Sequence, residues 1–262
     1  MFEADPHVIQ AGPRHPIRHH SIPLILIHDG GGTTFSYHLV GDLNRTVLGI
    51  ANPRFRSGIP WAGGLREMAT AYAASVEGAV SSGPVILGGW SLGGLLAMEI
   101  AHVLSQNCSG IHVAGLILID SVYPARPEAG WADIEKRLTE RTIEWAATTS
   151  ATTKLCVERC FREAHRMVRE WKPPVSPLPR SVLVRCRDAV PAPGDGLLFV
   201  DIYRKEQRLG WDNYREDVFS QVLETPGHHY NVFAPEHVET VTVMIKTACT
   251  TIEKMDGMFA LP

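Results

Sequence analysis

Gly83-Pro84-Val85-Ile86-Leu87-Gly88-Gly89-Trp90-Ser91-Leu92-Gly93-Gly94-Leu95-Leu96 decides the fold of this chain. A short apolar run introduced by Gly-Pro reaches a Gly-x-Ser-x-Gly pentapeptide. From Leu92 onward Leu95, Leu96, Met98, Ile100, Ala101 and Leu104 recur at helical spacings. The stretch reads as buried strand, sharp turn and helix, the context that makes this pentapeptide a nucleophile elbow. A serine lifted out on such a turn leaves no room for side chains two residues before or after it, which accounts for Gly89 and Gly93. The turn also aims the first free N–H groups of the new helix at the reacting centre, where they favour a developing negative oxygen.

Further apolar runs lie on either side, at residues 22–27, 47–51, 113–119, 181–185 and 218–223. Strands apolar on both faces belong inside a parallel sheet covered by helices. Helical patterns at 64–80, 92–106 and 235–255 alternate with them, so the predicted class is α/β: a mostly parallel, doubly wound sheet with right-handed crossovers. The 262 residues suit one large domain. Residues 1–21, rich in Pro, His and Arg, read as an extended arm in which His15, His19 and His20 are solvated, and 22–262 as the folded domain.

One segment, about 125–175, breaks the alternation. It predicts two amphipathic helices, one carrying Trp131, Ile134, Leu138 and Trp145, the other Val157, Cys160, Phe161, Ala164, Met167, Val168 and Trp171. A Pro-rich stretch from Lys172 then returns the chain to the sheet. An insertion after the strand ending at Ile119 stands over the carboxyl edge of the sheet, where ligands bind in open α/β folds. It reads as a lid, with Trp131, Leu138, Phe161 and Met167 as substrate-facing residues; an added structural layer is the alternative. On its second helix Arg159, Arg162, Arg166 and Arg169 share one face, suited to an acidic partner, although interleaved glutamates also fit a solvated face.

With 45% hydrophobic and 20% charged residues and a net charge of −3, the chain gives no reason to expect nucleic acid. Its apolar runs stop short of a membrane span. The start, Met-Phe-Glu-Ala-Asp-Pro-His, lacks a basic region and an apolar core, so the expected location is cytoplasmic. Five scattered cysteines, Cys108, Cys156, Cys160, Cys186 and Cys249, fit free thiols in a reducing compartment. Cys156 and Cys160 lie one helical turn apart without the companions of a metal site, so no metal is expected.

A serine hydroxyl needs a histidine to take its proton and a carboxylate to orient that histidine. With the chain order Ser, acid, His, Asp120 directly after Leu116-Ile-Leu-Ile119 is the first candidate acid and Asp188 its rival. Pro226-Gly-His-His-Tyr230 offers His228 and His229, and spacing leaves both open. One oxyanion donor is expected from the Leu92 backbone. The other is expected from the loop His28-Asp29-Gly30-Gly31-Gly32, where glycines permit close approach. No Lys-Ser/Thr follows that loop, which argues against a phosphate-binding P-loop.

Four motifs in order, His28-Asp-Gly-Gly-Gly-Thr-Thr-Phe-Ser-Tyr37, Gly88-Gly-Trp-Ser91-Leu-Gly-Gly94, Leu116-Ile-Leu-Ile-Asp120 and Gly227-His-His-Tyr230, resemble the thioesterase family of polyketide synthases, peptide synthetases and animal fatty acid synthase. The fungal polyketide-associated members look most similar, and the likeness runs from about Ile22 to the C-terminus. It implies an α/β-hydrolase with Ser91, Asp120 and His229 as triad, Gly30 and Leu92 as oxyanion donors, and a lid that shapes the acyl chamber. It also implies an acyl chain delivered on the phosphopantetheine arm of an acyl carrier protein or polyketide synthase, released by hydrolysis or cyclisation, with no further cofactor. A carboxylesterase of oxygen esters is the alternative within enzymes. A non-catalytic binding module is the alternative outside them, and it would be expected to lack a triad member.

Overall fold

Residues 6–13, 21–107, 110–127, 129–139, 143–175 and 177–257 are described by a computed structural model of the protein. Their strands are β1 His7–Gln10, β2 Leu24–Ile27, β3 Val47–Ile50, β4 Gly83–Trp90, β5 Ile111–Ile119, β6 Ser181–Cys186 and β7 Phe219–Thr225. The helices are α1 Gly64–Ala79, α2 Leu92–Gln106, α3 Trp131–Arg137, α4 Ala151–Glu170 and α5 Val238–Gly257. The seven strands form one sheet in the order β1-β3-β2-β4-β5-β6-β7, parallel throughout except for β1 against β3.

The continuous apolar runs are explained by burial on both faces. Side chains alternate across a strand, so Ile25, Ile27, Val85, Leu87, Leu116 and Leu118 join α1 and α2 in one core cluster. Leu24, Leu26, Ile86, Ile117 and Ile119 join α5 in the other. The chain passes from β2 to β3 on one side and then crosses to β4 on the other side of β2. The strand order therefore reverses between β2 and β4, and a crevice at their carboxyl ends is where open α/β sheets bind ligands. Among the described residues, no helix is long and apolar enough to cross a membrane.

Two parts of the sequence reading change. The sheet begins before Ile22: His7–Gln10, inside the stretch read as an arm, pairs antiparallel with β3. The Gln10 side chain fixes this edge by donating to the Val40 and Gly41 carbonyls and accepting from the Leu43 N–H. His15, His19 and His20 lie outside the described residues, as does Cys108. The first helix of the insertion is also only seven residues long, because Leu138 leaves the helix to form a bridge with Leu197, so Trp145 falls beyond it.

Candidate active site

At the switch point β4 ends, and Ser91 takes φ 58° and ψ −117°, a conformation few side-chain-bearing residues adopt. Its neighbours allow this. A Cβ on Gly89 would lie 2.6 Å from the Gly93 carbonyl carbon, and one on Gly93 would overlap the Ile27 carbonyl oxygen at the end of β2. The turn is tied to β5 by the Ser91 N–H donating to the Ile119 carbonyl at 2.9 Å and the Ser121 hydroxyl donating to the Ser91 carbonyl at 2.7 Å.

The structure brings Ser91, His229 and Asp120 into one hydrogen-bonded line. Ser91 Oγ lies 3.0 Å from His229 Nε2, and His229 Nδ1 lies 2.8 Å from Asp120 Oδ2. Because a carboxylate only accepts, Nδ1 carries the hydrogen, and the neutral ring presents Nε2 as an acceptor toward the serine. Asp120 sits directly after β5 at φ 46° and is fully buried. Burial works to raise its pKa, but hydrogen bonds from Arg204 and His229 outweigh this and hold the carboxyl well below the usual range. His229 is itself buried, with Trp90 at a ring separation of 5.5 Å and Tyr230 edge-on at 4.8 Å.

The rival residues go elsewhere. Asp188 accepts from the Gly227 N–H at 3.0 Å and pairs with Arg187, which braces the turn that carries the histidine. His228 accepts from the Tyr230 N–H at 3.2 Å through Nδ1.

The loop after β2 is shaped by Asp29, whose side chain accepts from Gly31 N–H and whose carbonyl accepts from Gly32 N–H. This leaves the N–H of Gly30, like that of Leu92, without an acceptor among the described residues. Helix α4 covers the loop: a Cβ on Gly30 would sit 3.0 Å from the Phe161 ring, and one on Gly31 would be 3.5 Å from Val157.

The other lid candidates have separate surroundings. Met167 is buried in the cluster of α1 and α2, Trp131 carries the Arg126 guanidinium over its ring at 4.7 Å, and Leu138 bridges Leu197. Among the described residues, no group of three or more His, Cys, Asp or Glu is placed to hold a metal ion.

Sequence reasoning missed Arg204 and Asp201. Both lie in an irregular stretch between β6 and β7 without apolar periodicity, and only their contacts with Asp120 and each other mark them. A basic residue three after an acidic one was the only local signal.

The family model for the thioesterase domain matches residues 22–182. Thioesterase frbD of Dothideomycetidae sp. (strain 11243) is 35% identical over 248 residues, covering 90% of this chain and 92% of its own. Thioesterase AMT4 of Alternaria alternata is 33% identical over 247 residues, covering 88% and 85%. The nonribosomal peptide synthetase imqB of Aspergillus flavus contains a stretch, 8% of its length, that is 30% identical to 89% of this chain. Among solved structures, the NocB thioesterase domain from the nocardicin cluster matches with a TM-score of 0.66 at 27% identity, covering 87% of this chain and 93% of that one. The α/β-hydrolase type of fold is thus common to both.

Proposed function

This chain belongs to the thioesterase domain family, and from that premise we propose that it is a serine thioesterase releasing an acyl or polyketide chain from a carrier-protein phosphopantetheine thioester. The observation that carries the reading is the unbroken line Ser91, His229, Asp120, with contacts of 3.0 and 2.8 Å, at the switch point of the sheet. Ser91 Oγ attacks the thioester carbonyl while His229 Nε2 takes the hydroxyl proton. The carbonyl oxygen becomes an oxyanion that the free N–H groups of Leu92 and Gly30 suit, and loss of one such donor typically costs about 10²–10³ in kcat. Collapse breaks the C–S bond, and His229 returns the proton to the departing thiolate, leaving acyl-Ser91.

His229 then activates the second nucleophile. Water gives a free acid, and a hydroxyl or carbanion of the chain itself gives a ring. The only prosthetic arm required is the one the substrate carries. Support for a carrier-borne substrate comes from the synthetase relative, whose matching stretch is a small part of a much longer chain. Phe161 and Val157, packed on the Gly30 loop, are assigned to the wall of the acyl chamber.

The test is intact-protein mass spectrometry after exposure to a panel of acyl-N-acetylcysteamine thioesters and p-nitrophenyl esters. A mass increase of one acyl group, lost in Ser91→Ala and faster with the thioesters, is the expected result. Acylation that persists in Ser91→Ala, or a preference for oxygen esters, would overturn the assignment.

A further inference from the structure

Asp120 accepts four hydrogen bonds, and two of them come from a cation. The Cys186 N–H and Arg204 Nη1 reach Oδ1 at 2.7 and 2.6 Å, while Arg204 Nη2 and His229 Nδ1 both reach Oδ2 at 2.8 Å. Backbone donors alone would orient a triad carboxylate without altering its charge. A guanidinium fork orients it too, but it also cancels much of the field with which that carboxylate stabilises an imidazolium.

The rest of the Arg204 environment compensates. Its Nε donates to Asp201 Oδ1 at 2.8 Å, and its remaining N–H groups reach the carbonyls of Cys186 and Val200. All five guanidinium donors are therefore used. Asp201 is itself held by the Val190 N–H on Oδ2 at 2.8 Å. Asp120, Arg204 and Asp201 are 0%, 7% and 4% exposed. The charges sum to −1, the same as for a lone carboxylate. Removal of Arg204 would leave two buried carboxylates without a counter-ion, whereas removal of the Asp201 charge leaves a neutral Asp120–Arg204 pair.

We infer that Arg204 is a positioning residue of the triad, its fork fixing the Asp120 carboxylate, and that Asp201 restores the negative charge the fork takes away. This rests on the reading of Ser91, His229 and Asp120 given above. The other ionisable groups nearby are the Cys186 thiol, which burial keeps protonated, the Arg185–Glu224 pair, His228, and Arg187, Asp188 and His237 about the Gly227 turn. All of these stay in place in the variants below, so differences between variants report the clamp.

The experiment measures the rate at which a fluorophosphonate labels Ser91, by intact mass, across pH, with thermal melting alongside. Arg204→Gln should label about 10²-fold more slowly, the scale expected when a catalytic group is misplaced. Arg204→Lys, which keeps the charge without the fork, should recover only part of this rate. Asp201→Asn keeps an acceptor for Nε but removes one negative charge, so the imidazolium is less favoured and the acid limb of the profile should move about one unit to lower pH. A purely structural role would change melting and leave that limb in place.

Folded Arg204→Lys labelling at the wild-type rate would overturn the positioning role. An unmoved acid limb in Asp201→Asn would overturn the charge balance. Wild-type protein that does not label at Ser91 would overturn the triad reading and the clamp with it.

Discussion

The Trp90 N–H, one residue before Ser91, donates to the Tyr37 hydroxyl at 2.8 Å, and that hydroxyl donates in turn to the Ile27 carbonyl at 2.7 Å. One buried side chain thereby continues the ladder between β2 and β4 past their paired residues and joins the two loops that frame the site. Burial pushes the Tyr37 hydroxyl far above its ordinary range, so it remains a donor at every working pH. Tyr37→Phe keeps the ring packed edge-on to Phe233 but leaves an N–H and a carbonyl unpaired, at a cost of about 1–3 kcal/mol each. The expected outcome is a lower Tm together with slower acylation of Ser91. A Tm and acylation rate equal to wild type would show that water or relaxation replaces the bridge.

The two histidines and two aspartates should separate cleanly in kinetics. His229→Ala and Asp120→Asn are expected to lower kcat by about 10³–10⁴, as removal of triad members does elsewhere. His228→Ala loses a local turn contact, and Asp188→Asn keeps an oxygen for the Gly227 N–H, so each should stay within about tenfold of wild type. Steady-state kinetics on a single acyl-N-acetylcysteamine substrate decides it, and an exchange of effects between the pairs would refute the assignments.

His28 gives a pH dependence of stability whose sign is fixed by its surroundings. It is buried, its Nδ1 donates to the Asp29 carbonyl at 2.6 Å, and its Nε2 accepts from the Tyr72 hydroxyl at 2.7 Å. Burial lowers its pKa from 6.5 to about 4, against the opposing effect of the Asp29 hydrogen bond. Between those values the unfolded chain binds more protons than the folded one. Stability therefore rises with pH across the window and is lost as pH falls through it, by up to about 3 kcal/mol. Urea midpoints at pH 4.5 and 7 should differ markedly in the wild type and less in His28→Gln. Equal differences would place the acid sensitivity elsewhere.

The sheet was legible because β2, β4 and β5 are covered on both faces and so read as unbroken apolar runs, and the elbow because its glycines answer a steric demand visible in sequence. What escaped notice depends on contacts distant in the chain. Strand β1 is four residues of mixed burial held by Gln10 against residues some thirty positions away. The early end of α3 depends on Leu197, and the clamp joins Asp120 to a residue 84 positions further on. The choice of His229 over His228 came from family likeness alone, since two adjacent imidazoles have the same spacing from everything else. The insertion read as helical and α4 is a helix, yet that helix serves in two ways. Cys156, Cys160, Ala164 and Met167 are buried, while Phe161 rests on the Gly30 loop.

The arginine face of α4 leads to the last prediction. Of its four members, Arg159 donates to the Phe55 and Arg56 carbonyls, and Arg166 is occupied by Glu163, Glu170 and the Trp61 carbonyl. Those two fasten the helix to the loop before α1 and have little charge left to offer. Arg162 and Arg169 are exposed and form no ion pair among the described residues, and Arg162 lines a cavity of about 380 Å³ with Arg54 and Trp61. An acidic carrier protein would therefore be steered by Arg162 and Arg169. Charge reversal at these two positions should raise KM for an acyl-carrier substrate and leave a small acyl thioester unaffected. The difference should be greatest at low ionic strength, because screening at 0.1 M salt already acts over about 10 Å. Reversal at Arg166 should instead lower Tm, since it removes the donor to the Trp61 carbonyl that fastens the helix to the loop. A ratio of the two KM values that stays constant from low to high salt would move the carrier's docking surface off this helix.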